Sequence, residues 1–553
     1  MSLDSTLTRK EAIVAALLGL TSTALPRGLQ DTTPSPATPP AEITVEDLKA
    51  VERLAGIEFT DEERKEVLAS VRSNRAGYEA IRKEGITYTT EPRTVFTPIG
   101  GGSVPGSRVR IRTSTVRGFR RPERAEDVAF LSIRELGHLL RTRQITSVEL
   151  TQLYLDRLKR HGEQLLCVVT VTEALALRQA VQADRELREG KDRGPLHGIP
   201  YGIKDLFATK GIPTTWGAEP FRDQVFDYDA TVVQRLERAG AVLVAKLSMG
   251  ALAMGDVWFR GMTKNPHNPA QGSSGSSAGS AAATAAGLVG FAIGTETYGS
   301  ITSPSLRCRV TGFRPTYGRV SRFGGMALSY TMDKVGPICR EVEDCALVFA
   351  AICGSDPRDA SAVDRPFEYP RRVDLRRLKV GYLGNQQALD ADPAAKVLRD
   401  RGAKVEPIRL TPVPNGIFTI LTVESGSAFD EFTRGDAIDR LKNSTWPQTF
   451  RSARYVPAVE YLQAQRARAL MMERFERELA DFDVLLGPGI GGPSIGQTNF
   501  AGHPQVLLPF GDDGKGNSLG RSLVGRLYRD DEMLAVAKVV QDAFQFHRQR
   551  PKL

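Results

Sequence analysis

The chain is poor in the residues behind the commonest catalytic and cross-linking chemistries. Five cysteines and six histidines are spread through 553 residues. The cysteines (Cys167, Cys308, Cys339, Cys345 and Cys353) include no C-x-x-C pair. Their odd number and spacing exclude a disulfide framework and a zinc-finger arrangement. Cys345 and Cys353 fall in an apolar helical pattern and are expected as buried free thiols. His138 and His161 sit on helical patterns, His197, His267 and His503 sit beside Gly or Pro, and His547 is near the C-terminus. None has an obvious role as a general base. No spacing calls for a metal or a cofactor, and none is expected. No apolar run is long enough to span a bilayer.

Charge is not concentrated either. Seventy-four basic residues against 65 acidic ones leave a net +9, with 41% hydrophobic and 25% charged residues. That is a globular composition, not a disordered one. The sharpest cluster is Arg108, Arg110, Arg112, Arg117, Arg120, Arg121 and Arg124. Its first three alternate with Val109 and Ile111, the period of a strand with a solvated face, so no nucleic-acid partner is expected.

Five regions follow one another. Residues 1–25 carry Arg9-Lys10, an apolar run from Ala12 to Leu20 and small residues to Ala24. This pattern predicts an export signal and a periplasmic, bacterial-type location; without it the protein is cytoplasmic. Residues 26–42 form a Pro/Thr-rich linker. Residues 43–85 read as a helical appendage that packs on the main body. Thr44 with Asp47 and Thr60 with Glu63 give start signals at or near capping-box spacing. Leu48, Val51, Leu54 and Ala55 should line one face of its first helix, and Val67, Leu68 and Val71 one face of its second. Residues 86–124 read as an irregular, β-rich connector whose Gly100–Gly106 loop lacks the residues of a phosphate loop. Residues 125–553 alternate helical patterns with short apolar strands. Examples are the helix opened by Thr146 and Glu149, a helix over 230–239, and strands at 241–245, 378–382 and 484–486. This predicts an α/β fold, a mixed twisted β-sheet sandwiched between α-helices.

The stretch from Gly272 to Ser300 carries the chemistry. It places serines at both ends of an Ala/Gly-rich segment that continues into an apolar strand-like run. A linker would not run into such a core, and its glycines allow close backbone approach. Serine needs a base to become a nucleophile. Gly275–Gly279 also reads G-x-S-x-G, which would make Ser277 an elbow nucleophile, but the preceding residues are loop-like rather than a strand. The alternative to a histidine brought in by the tertiary fold is a lysine, and Lys204 lies in G-I-P-Y-G-I-K-D-L. An exposed lysine is protonated at pH 7; burial lowers its pKa toward usefulness. A structural ion pair with Asp205 is the competing reading of this lysine.

Longer motifs then agree in order. N-P-H-N-P at 265–269 and G-S-S-A-G-S-A-A-A-T-A-A-G at 275–287 come first. G-T-E-T-Y-G-S-I at 294–301, G-F-R-P-T-Y-G-R-V at 312–320, D-K-V-G-P-I at 333–338 and N-F-A-G-H-P-Q at 499–505 follow. Over about residues 125–545 the chain resembles the amidase signature family. The resemblance implies the amidase signature fold and a Ser-cisSer-Lys triad. Ser300 would be the nucleophile, Ser276 the proton relay after a cis peptide, and Lys204 the base. Backbone N–H groups of Thr297, Tyr298, Gly299 and Ser300 would form the oxyanion hole, with Ser277 supporting the network. It implies an amidase acting on linear amides through an acyl-enzyme, with a small-molecule amide or carbamate as partner and a homodimer as the assembly. Carbamate or ester hydrolysis, a glutamine-dependent amidotransferase A-type subunit, and a silent binding protein are the alternatives. Tyr298 stands where the family has Gly, Glu296 where it has Asp, and Thr302 where it often has Arg. Met249, Gly250, Met254 and Trp258 are the expected substrate-pocket residues, with Phe429, Phe432, Trp446 and Tyr455 as further wall candidates.

Overall fold

The computed structural model describes residues 42–85, 96–442, 444–489, 494–514 and 516–553. The expected export signal, and the linker up to residue 41, lie outside them. Val45–Leu553 is one compact unit, so the helical appendage belongs to the same body as the rest.

Eleven strands build the main sheet. In chain order they are β1 (Val168–Val171), β2 (Pro200–Lys204), β3 (Val242–Leu247), β4 (Phe291–Glu296), β5 (Thr311–Arg314) and β6 (Lys334–Cys339), followed by β7 (Lys379–Leu383), β8 (Lys404–Ile408), β9 (Val484–Pro488), β10 (Gln505–Asp512) and β11 (Ser518–Gly525). Their spatial order is β8-β7-β9-β11-β10-β5-β6-β4-β2-β3-β1. β2 pairs in parallel with both β3 and β4, while β6 runs antiparallel to β4 and β5. The sheet is therefore mixed, as the alternation of patterns predicts. Strands β2, β3 and β6 are buried along their whole length, covered on both faces, which is why they read as unbroken runs rather than alternations. The helix predicted from Thr146 and Glu149 spans Ser147–Leu165, with its capping box formed.

The Ala/Gly-rich segment becomes the helix Ala278–Ala285, every residue of it buried. Small side chains let it sink against the sheet. At Gly279 an added Cβ would lie 2.4 Å from the Cys167 carbonyl oxygen and 2.5 Å from the Ser248 nitrogen. No larger residue fits there.

The appendage consists of helices Val45–Ala55 and Asp61–Arg82. Val67, Val71 and Ile81 face inward, and Ile81 joins a core cluster with Ile417 and Ile420. The first helix corrects the apolar pattern. Leu48 is buried, but Val51 is 39% and Leu54 90% exposed, and Ala55 is exposed too. Glu52 turns inward instead. Its carboxylate accepts from Arg64 Nη2 at 2.7 Å, from the Phe59 amide at 3.1 Å and from the Tyr455 hydroxyl. A satisfied buried charge fixes the orientation that apolar periodicity alone misassigns. In the connector, strand among the described residues is confined to Val109–Ile111, paired in parallel with Phe367–Tyr369. The expected β-rich character is therefore limited to three residues there, and Val109 and Arg110 are both exposed.

Candidate functional site

Lys204 ends β2 at a fully buried position. Its Nζ lies 2.7 Å from Ser276 Oγ and 2.9 Å from Thr295 Oγ1. Burial pushes its pKa down to about 7, against the opposing pull of Asp333 and Glu296. Burial thus brings the neutral amine within reach of physiological pH, and Nζ is in hydrogen-bond contact with the Ser276 hydroxyl. Asp205 is not its partner. That carboxylate sits 3.1 Å from Lys246 Nζ in a separate, fully buried ion pair, and accepts from the Thr215 amide at 2.8 Å.

Ser276 follows a cis peptide bond from Gly275. Gly275 must be glycine: a Cβ would lie 1.8 Å from the Gly255 carbonyl oxygen. Ser277 is held on both sides of its hydroxyl. Its Oγ donates to the Thr295 carbonyl at 3.1 Å and accepts from the Thr295 amide at 3.2 Å. That commits Ser277 to structure and removes it as an elbow nucleophile. The Ser277 amide also donates to the Ser300 carbonyl at 3.1 Å, which draws the turn bearing Ser300 against the Ser276–Ser277 segment.

Residues 297–300 leave the end of β4 as a short loop pinned at both ends. At its start, the Thr297 hydroxyl donates to Asp333 at 2.6 Å, and Lys334 Nζ reaches the Thr297 carbonyl at 3.5 Å. At its end, Glu296 Oε2 accepts from the amides of Ile301 at 2.9 Å and Thr302 at 3.0 Å, and from the Thr302 hydroxyl at 3.1 Å. The other carboxylate oxygen accepts from Arg314 and from Asn499 Nδ2 at 3.1 Å. Burial works against the Glu296 charge, but Arg314 and Lys334 overcome it and hold its pKa down to about 2. The positive φ in this loop falls on Gly299, at 95°, and not on Tyr298. Tyrosine at 298 therefore carries no left-handed strain. Its ring packs on Phe418 and Phe500, with centroids 5.2 and 6.2 Å away.

Glu296 invites a direct test. Glu296→Gln removes the charge but not the shape, leaving the Arg314 guanidinium without its buried counterion. The expected cost is about 3–5 kcal/mol at pH 7, read by denaturant unfolding. The folded pKa lies below the unfolded value, so the wild-type advantage is complete above pH 4.5 and is lost as pH falls toward about 2. The two unfolding free energies should converge over that window.

Beside the loop opens a cavity of about 250 Å³, whose lining includes Thr295, Thr297, Phe207, Ala253 and Met326. Met249, Gly250, Met254 and Trp258 are not part of that lining. Met249 is fully buried in the core, Gly250 donates its amide to the Ser276 carbonyl at 3.3 Å, and Trp258 is buried with its indole N–H on the Leu166 carbonyl at 3.1 Å. Met254 is 38% exposed, with Thr445 Oγ1 3.1 Å from its sulfur. Phe429 stacks on Phe450 in an aromatic core cluster that also takes in Trp446. The buried histidines lie beside carboxylates: His503 Nε2 is 2.9 Å from Glu476, His197 Nε2 is 3.2 Å from Glu186, and His547 Nε2 is 3.7 Å from Glu341. Among the described residues there is no group of three or more His, Cys, Asp or Glu placed to hold a metal ion, and no helix long and apolar enough to cross a membrane.

Sequence reasoning passes over Thr295, Asp333, Lys334 and Arg314. All four stand inside motifs that the family resemblance rests on, but none carries a role by residue type alone.

A family model described as Amidase matches residues 149–498, more than half of the chain. The chain belongs to the amidase signature family. Among its relatives, the glutamyl-tRNA(Gln) amidotransferase A subunit of Methylococcus capsulatus is 35% identical over 481 residues, covering 76% of this chain and 98% of that protein. The corresponding protein of Carboxydothermus hydrogenoformans is 32% identical over 489 residues, covering 77% and 100%. Among solved structures, the peptide amidase from Stenotrophomonas maltophilia superposes with a TM-score of 0.69 at 28% identity, covering 76% of this chain and 98% of that one. The amidase signature fold and the membership of this amidase family follow from these matches and from the mixed eleven-stranded sheet.

Proposed function

We propose that this amidase signature protein hydrolyses a carboxylic amide through an acyl-enzyme on Ser300. The observation that carries the reading is the 2.7 Å contact between Ser276 and a buried Lys204 whose pKa burial has pushed down to about 7. A base with a pKa near the working pH is both available and strong enough to act. In the mechanism, neutral Lys204 takes the Ser276 proton while Ser276 takes the Ser300 proton. Ser300 Oγ then bonds to the amide carbonyl carbon. Backbone N–H groups of Thr297, Tyr298, Gly299 and Ser300 stabilise the oxyanion. The proton returns through Ser276 to the amide nitrogen, the C–N bond breaks, and the amine leaves. Water, deprotonated by the same relay, hydrolyses the ester on Ser300. Carbamates and esters fit the same steps.

A second reading has its own support. The relatives named for the glutamyl-tRNA(Gln) amidotransferase align over nearly their whole length. On that reading the amide is glutamine's, and the ammonia passes to a partner-bound acid. In the first reading the chain works alone.

A fluorophosphonate probe tests the shared chemistry without assuming a substrate. The folded protein should be labelled at Ser300, as located by peptide mass spectrometry. Labelling elsewhere, or none, would sink the assignment.

A further inference from the structure

The cavity beside the 297–300 loop carries information about the substrate. Two of its lining residues adjoin the candidate reacting groups: Thr295 Oγ1 lies 2.9 Å from Lys204 Nζ, and Thr297 opens the loop that bears Ser300. Its walls are largely apolar, from Leu206, Phe207, Phe323, Met326, Leu328 and Val335. A cavity of about 150 Å³ with such walls holds a benzene ring. At about 250 Å³ this one holds a ring with a short chain attached.

Its charged lining is already matched from within. Arg322 Nη2 lies 3.2 Å from Asp359 and donates from Nη1 to the Tyr330 carbonyl at 2.5 Å. Arg358 Nε lies 3.1 Å from Asp356, and its guanidinium covers the Phe323 ring at 4.2 Å. Asp333 accepts from the Thr297 hydroxyl at 2.6 Å and the amides of Leu328 and Ser329 at 2.8 and 3.0 Å. Lys334 is bound to the carbonyls of Met332 and Thr297. Asp359 also takes the Ser361 hydroxyl at 2.6 Å. Among the described residues that line the cavity, every charged side chain already has hydrogen-bond partners within the protein. A zwitterionic amino acid entering here would lose water from an ammonium and a carboxylate and meet charged groups already engaged within the protein, which is costly. An uncharged apolar group loses nothing comparable and covers apolar wall.

We infer that this cavity selects an uncharged amide bearing an apolar, ring-sized substituent, and that it discriminates against glutamine. The inference rests on the amidase reading above and names its substrate class.

The test compares the ammonia-releasing kcat/KM of the full chain on phenylacetamide, acetamide and L-glutamine. Phenylacetamide should exceed acetamide by about tenfold or more, the scale on which an apolar pocket rewards added apolar atoms. It should also exceed glutamine, by about a hundredfold. Ala360, exposed in the cavity lining, supplies the control. Ala360→Trp narrows the cavity without altering the core, and should reduce the phenylacetamide-to-acetamide ratio about tenfold. Preference for glutamine, or a ratio indifferent to Ala360→Trp, overturns the inference and leaves amide hydrolysis standing, provided the fluorophosphonate still labels Ser300. Absence of both labelling and turnover removes the amidase reading beneath it.

Discussion

Ser300→Ala should lower kcat/KM by about 10⁴–10⁶-fold, the loss seen when a covalent nucleophile is removed from a serine enzyme. The fold should be untouched, because the interactions seen at this residue run through its backbone: the carbonyl accepts from the Ser277 amide at 3.1 Å. An unchanged unfolding transition alongside lost turnover and lost acyl-enzyme, followed by intact-mass spectrometry, is the expected pair of results. Ser276→Ala should cost less, about 10²–10⁴-fold, since a relay is a proton-transfer contribution. If Ser276→Ala were the silent variant and Ser300→Ala the active one, the two roles would have to be exchanged.

Lys204→Met should abolish turnover and make the protein more stable at neutral pH. The stability half follows from linkage. Burial pushes the Lys204 pKa from 10.5 to about 7. Between those values the unfolded chain holds the proton that the folded chain releases, so stability due to this group rises with pH from about 7 to 10.5. Below pH 7 the penalty is complete, about 5 kcal/mol. Lost hydrogen bonds to Ser276 and Thr295 offset part of the gain. The stability difference, variant minus wild type, should be largest below pH 7 and shrink steadily up to pH 10.5. A difference independent of pH would show that the lysine is not held neutral. On the proposed mechanism the same ionisation governs wild-type activity: kcat/KM should rise through pH 7 to a plateau, because only neutral Lys204 can accept a proton.

Much of this site is legible in the sequence because its residues lie in short, continuous motifs. Lys204 stands out once histidine has no obvious role, and the serines mark both ends of a packed segment. The Lys204–Ser276 contact joins residues 72 positions apart, yet each announces itself locally. The cavity does not announce itself. Phe207 follows β2, whereas Phe323, Met326 and Leu328 share one loop before β6, and no motif of a chemical kind marks any of them. Trp258 and Met249 read as pocket residues, and both turn inward. Glu52 shows the converse limit. Apolar periodicity puts Val51 and Leu54 against the body, but Arg64 and Tyr455, distant in sequence, draw the carboxylate in and rotate the helix about its axis. The three departures at Glu296, Tyr298 and Thr302 are visible as substitutions. Their meaning needs the fold: Glu296 reaches the Thr302 hydroxyl itself, and the ring of Tyr298 rests on Phe418.

Lys334 on β6 stands opposite Glu296 on β4, as neighbours across one rung of the sheet. The first belongs to the cavity wall and the second fastens the turn that bears Ser300. The two halves of the site are thus hung from the same pair of strands. On the proposed reading, one rung of the ladder ties the cavity wall at Lys334 to the carboxylate that fastens the nucleophile's turn.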